Sequence, residues 1–284
     1  MCTIVIHGVG ARDESWWILK RPGGFLDALA QGMRQGGREP DIWTIGERPL
    51  ADYAPPPPPP DGEPFEHLDG HFRWCGQPGH EARLRDGMRL ARYLGSLSRV
   101  HPSEPINIVA HGHGANLVKI ATHYVQPGTL LGRVVFLGSP FCEIVEGGQQ
   151  FPYRLSAQSI SRDVAGAAPV MNLYSREDTA QIDWTDSFPQ ESGCVVEPDG
   201  RGSDFRMSPT FHAYRVDPDP YTQYAYDNVE LPTRMGLGGH VHQALHGPTV
   251  GLLIGYWFSR WPELSGRDCL RNFGIDAVTD PNPG

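Results

Sequence analysis

Four short stretches of the 284-residue sequence carry residue types and spacings suited to acyl chemistry. Ala110-His111-Gly112-His113-Gly114-Ala115-Asn116 lies between an apolar run and a segment of helical periodicity. It has the small-x-nucleophile-x-Gly layout of a nucleophile elbow, a sharp strand-to-helix turn flanked by small residues because strand and helix come so close there. The start of that helix presents N–H groups where a carbonyl oxygen would gain negative charge. The nucleophile's position is occupied by Gly112, which has no side chain to attack with. His7-Gly8-Val9-Gly10 is a loop after the first apolar run, suited to supplying a further oxyanion N–H. In Asn172-Leu173-Tyr174-Ser175-Arg176-Glu177-Asp178 a carboxylate sits just past another run, where it can orient an imidazole and stabilise its protonated form. Imidazoles follow in His240-Val241-His242-Gln243-Ala244-Leu245-His246.

The elements that must position these groups alternate between strand and helix. Thr3–Ile6, Asp41–Ile45, Ile106–Ala110, Val134–Leu137 and Val170–Leu173 read as strands. Helical spacing appears at Phe25, Leu26, Leu29 and Met33, across Glu81–Val100, and at Leu117, Ile120, Ala121 and Tyr124. Pro248 is placed to open a last helix carrying Val250, Leu253, Ile254 and Trp257. This order predicts an α/β fold with a mostly parallel central sheet and helices on both faces. Pro55–Pro60 cannot join a ladder and predicts an extended connector. With no repeat and no strong composition shift, residues 1–284 read as one domain. A region from 184 to 235, poor in periodicity in its first part, is expected to form a lid or excursion over the site.

Composition narrows the function classes. The chain is 39% hydrophobic and 10% aromatic, enough to bury a core. A net charge of -9, with 24 basic residues scattered among 33 acids, argues against nucleic acid as a partner. No apolar run reaches the roughly 20 residues of a membrane span, so no integral membrane association is expected. The N-terminal stretch lacks the basic region of a signal peptide, and the expected location is cytoplasmic. Five cysteines without a CxxC pair form neither a disulfide framework nor a zinc ribbon. His111/His113 and His240/His242 have metal-like spacing, but no aspartate completes the usual hydrolase-metal run, so neither metal nor cofactor is expected. The turn also lacks the Lys-Ser/Thr of a P-loop.

Taken together, Val5-Ile6-His7-Gly8 with Trp16-Trp17, Ile108 to Gly114, Phe136-Leu137-Gly138-Ser139-Pro140, Asn172 to Ser175 with Asp178, and the His-rich segment resemble the α/β-hydrolase superfamily, in particular its bacterial lipase- and esterase-like members. The resemblance spans nearly the whole chain. It implies the order nucleophile, acid, histidine, here Gly112 in place of serine, then Asp178, ahead of Glu177. The spacing of a catalytic histidine followed four residues later by another favours His242, with His240 second and His246 as a helix-start residue. Val9 and His113 would give the oxyanion N–H groups. His7, Trp16 and Trp17 would border an apolar substrate. His111, Ser139 and Cys142 read as structural.

Three functions fit a hydrolase framework without its serine. His–Asp general-base chemistry could act on an apolar ester or lactone-type carbonyl compound, by direct hydrolysis, cyclisation or elimination. The chain could instead be an esterase or lipase inactivated at Gly112, naturally or by engineering, or a small-molecule binding protein without chemistry. Losing the nucleophile of such a triad costs about 10⁶-fold in kcat, which excludes ordinary serine-esterase turnover.

Overall fold

The computed structural model describes residues 2–8, 15–18, 22–43, 72, 74, 76, 80–139, 143–146, 149–152, 170–174, 226–230, 245–260, 263–264 and 266–274. In chain order these form β1 (Cys2–Ile6), α1 (Ser15–Ile18), α2 (Phe25–Gln35), β2 (Asp41–Trp43), α3 (His80–Val100), β3 (Ile106–His111), α4 (Gly114–Tyr124), β4 (Leu131–Leu137), β5 (Glu143–Glu146) and β6 (Gln149–Pro152). They continue with β7 (Val170–Tyr174), β8 (Tyr226–Glu230), α5 (Pro248–Ser259) and α6 (Gly266–Asn272).

Six strands form one sheet in the order β2-β1-β3-β4-β7-β8, and every neighbouring pair in it is parallel. The short β5–β6 pair is a separate antiparallel ribbon. The α/β class and the helix-covered parallel sheet are therefore as expected from the sequence. Alternation along each strand sorts side chains onto two faces. Ile4, Ile6, Ile108, Ala110, Val134 and Phe136 join α3 and α4 in one buried layer. Val5, Val109, Val135, Leu137, Met171 and Leu173 join α2, α5 and α6 in the other. Because both faces are covered, these strands read as continuous apolar runs in the sequence.

Some boundaries differ from expectation. β4 begins at Leu131, ahead of Val134, because Ile106 pairs with Leu131 across a register shift in the β3–β4 ladder. The Asn107 side-chain oxygen accepts from the Arg133 N–H at 3.0 Å within that irregularity. Of the interval 184–235, the described part is β8, an edge strand of the central sheet paired along β7. The proline run lies outside the described residues.

On the second face, α2 and α5 meet backbone to backbone. A Cβ on Gly32 would run into Leu252 O and Tyr256 N; one on Gly251 would meet Phe25 O, and one on Gly255 would meet Leu29 O and Met33 N. No side chain longer than hydrogen fits at these crossings. Beneath α5, the buried Cys269 thiol reaches Leu253 O at 3.8 Å. Burial pushes its pKa up from 9.0 to about 12.

Gly255→Ala should therefore lower stability by about 1–3 kcal/mol through overpacking, despite alanine's advantage of roughly 1 kcal/mol in a helix interior. The readout is a lower urea midpoint at unchanged slope. For Cys269 the folded chain holds the thiol proton more tightly than the unfolded chain. Its contribution to stability is thus complete below pH 9 and lost as pH rises toward about 12. Native protein at pH 8 should leave Cys269 unlabelled by iodoacetamide over times that fully label it in urea, as read by peptide mass.

Candidate functional site

The connection from β1 leads to β2 on one side, and the connection from β3 leads to β4 on the other. In an open parallel sheet such a reversal of the connections marks the usual place for a ligand crevice, outside the carboxyl ends of β1 and β3. His7-Gly8 leaves β1 into this crevice and Gly112 leaves β3 into it. Ile6 pairs with Ala110, and His111 with Leu137, so the two strand ends lie side by side.

Gly112 turns with φ +52°, a left-handed conformation that side-chain-bearing residues resist. Its N–H extends the ladder to Leu137 O at 2.8 Å, and its own carbonyl already accepts from Ala115 N–H at 3.1 Å, so sheet and helix are separated by little more than one residue. On the next strand, Gly138 repeats the device with φ +54° and an N–H donated to Leu173 O at 2.9 Å. Gly114, the first residue of α4, has the His7 carbonyl so close that a Cβ would come within 2.5 Å of its oxygen. Gly8 faces the elbow in turn, its Cβ position lying 3.1 Å from His111 Nδ1 and 3.7 Å from the Gly112 Cα.

Two clusters of rings wall this turn. His7 is fully buried, with its ring stacked on Trp17 at 4.6 Å and on Trp74 at 5.5 Å. Trp74 Nε1 donates to His7 O at 2.8 Å. The His7 Nδ1 lies 2.8 Å from Gly8 O, and since a carbonyl only accepts, Nδ1 carries the proton. The second cluster joins three distant parts of the chain. His246 stacks on Trp16 at 4.4 Å and meets the His111 ring edge to face at 5.1 Å, while Trp16 also touches His111 and Phe25 edge to face.

Behind the turn runs a buried polar chain. His113 Nδ1 lies 3.0 Å from Asn116 Nδ2, Lys119 Nζ donates to Asn116 Oδ1 at 3.0 Å, and the same ammonium reaches Ser139 Oγ at 3.4 Å. All four side chains are buried.

Of the residues expected at the site, His7, Gly112 and His113 lie at the β1 and β3 ends, with Trp17 against His7 and Trp16 against His111. Of the two indoles, Trp17 is fully buried in the core layer and only Trp16 keeps part of its surface in solvent. Val9, Asp178, His240 and His242 lie outside the described residues. His246, expected at a helix start, does precede α5 but also abuts His111. Sequence reading missed Trp74, whose flanks show no periodicity, and the Asn116–Lys119 chain, whose members look like the polar face of an ordinary helix. Among the described residues no group of three or more His, Cys, Asp or Glu could hold a metal. No described helix is long and apolar enough to cross a membrane.

No protein-family model and no curated protein matches the sequence. Among solved structures the chain is similar to a putative hydrolase of the α/β superfamily from Xanthomonas campestris pv. campestris, at 14% identity and a TM-score of 0.31, covering 88% of this chain and 95% of that one. It is also similar to an extracellular α/β-hydrolase from a Paenibacillus species, at 11% identity and a TM-score of 0.39, covering 92% of this chain and 99% of that one.

Gly112→Ala should cost about 1–2 kcal/mol by forcing a Cβ into left-handed backbone. Gly114→Ala is expected to be the worse of the two, because its Cβ would press on backbone at the end of β1. Urea unfolding of the two variants checks the order.

Proposed function

We propose that the protein is a hydrolase-type enzyme without a serine nucleophile, acting by His–Asp general-base chemistry on apolar ester or lactone-type carbonyl compounds. The observation that carries this reading is the elbow itself: a strand–turn–helix at the crevice between β1 and β3, with left-handed Gly112 where the attacking residue would stand. The missing side chain leaves room for a water, or for a hydroxyl of the substrate itself. His242, oriented by Asp178, takes the proton of that water as its oxygen attacks the carbonyl carbon. Backbone N–H groups of Val9 and His113 donate to the developing oxyanion. Collapse of the adduct expels the alcohol, which receives the proton from His242. His240 is the second choice for the base. Trp16, which keeps part of its surface in solvent, forms the apolar border of the substrate, with the buried His7 and Trp17 packed behind it. No cofactor enters the scheme. The buried thiols of Cys2 and Cys269 suit a reducing compartment, in keeping with a cytoplasmic enzyme.

Hydrolysis of p-nitrophenyl esters of several chain lengths tests the reading. The natural chain should turn over slowly and without a burst of p-nitrophenol, because no acyl-enzyme forms. His242→Ala and Asp178→Asn should lower that rate, the former by about 10²–10⁴-fold. If the natural chain and His242→Ala are equally inactive while Gly112→Ser gains strong activity with a burst, the protein is an esterase inactivated at residue 112. If no variant alters the rate, the crevice binds without chemistry. Either result overturns the proposal.

A further inference from the structure

The buried chain behind the elbow fixes a proton. Lysine is scarce in this protein, with Lys20 and Lys119 the only two among 24 basic residues, yet one of them is buried inside the sheet–α4 layer. Its Nζ also lies 5.5 Å from the centre of the Phe136 ring, a placement that favours the charged ammonium. An ammonium has three donors and no acceptor. The Asn116 atom 3.0 Å from it must therefore be the amide oxygen, which leaves the amide N–H group facing His113 Nδ1 at 3.0 Å. An amide nitrogen donates and does not accept, so His113 Nδ1 bears the lone pair, and the neutral ring carries its proton on Nε2.

We propose that Lys119 is a positioning residue that acts through Asn116 to hold His113 as the neutral Nε2–H tautomer, so that this imidazole, next to the elbow, is a hydrogen-bond donor and not a general base. Its lone pair is engaged by Asn116, and its other nitrogen already holds a proton. The opposite arrangement holds at His7, where the Gly8 carbonyl keeps the proton on Nδ1. The two buried histidines at the β1 and β3 ends are thus set in opposite tautomers by backbone and side-chain partners. The consequence for catalysis rests on the hydrolase reading above: with His113 unable to take a proton, the base falls to a histidine of the C-terminal segment.

Nitrogen-15 spectra of histidine-labelled protein at neutral pH test this, with the His113 signals assigned from their loss in His113→Gln. The expected result is Nδ1 at the downfield position of an unprotonated ring nitrogen and Nε2 at the upfield position of a protonated one. Lys119→Met frees the amide to rotate, and the two shifts should move toward each other as both tautomers populate. Asn116→Asp presents only acceptors and should move a proton onto Nδ1. A protonated Nδ1 in the natural chain overturns the proposal, and so does a Lys119→Met spectrum identical to it. If either variant fails to fold, the natural chain's own shifts decide. The spectra need no substrate, so failure of the ester assays leaves them where they are.

Discussion

The constraint on which the site depends is the approach of two backbones: the first residue of α4 lies against the carbonyl that ends β1. At this separation a Cβ on Gly114 does not fit, and the chain must reverse from strand to helix within about one residue, which Gly112 does with left-handed φ. The glycines around His113 are thus demanded by geometry before any chemistry is considered. Their effect is to bring the β1 loop, the strand-to-helix turn and the start of a helix to one place, at the point where the sheet's connections diverge. Gly138, at the end of β4, turns with the same left-handed φ.

Around this turn, histidines of one chemical type acquire different characters from their neighbours. His7 is sandwiched by indoles and tied to a carbonyl, which makes it a rigid spacer between the core and the β1 loop. His111 is an edge against which Trp16 and His246 rest, so the N-terminal helix, the turn after β3 and the turn before α5 share one contact. His113 looks inward to a polar chain that reaches Ser139, beyond β4. A buried ammonium is tolerable there because its donors meet oxygen and its remaining face meets an aromatic ring.

What the sequence disclosed follows from which interactions are local. β1, β3 and β7 stood out because strands covered on both faces are largely apolar, and the Gly112 turn stood out because its small residues fall within one short stretch. β8 was hidden, since Tyr226–Glu230 holds Asp227, Asn228 and Glu230 and gives no apolar run. The N-terminal part of β4 escaped because Gly132 and Arg133 interrupt it, and only the pairing with β3 makes it a strand. At the site, the turn and its position were readable. The partnership of Trp16, His111 and His246 was not, as it joins residues far apart in the sequence whose meeting depends on the closed fold. Lys119 looked like a solvated helix residue, and only the packing of α4 against the sheet reveals that it is inside.

The glycine-lined crossing of α2 and α5 has a bearing on how the chain is made. One half of the core joins residues far apart in the sequence, Phe25 to Met33 and Val250 to Phe258. During synthesis the α3–α4 side can close as soon as β4 and β7 are out of the ribosome, whereas the opposite side of the sheet stays incompletely covered until α5 has emerged. Val5, Val109, Val135 and Met171 are then only partly covered while the segment between β7 and α5 is made. A stop before α5 leaves that face of the sheet half covered.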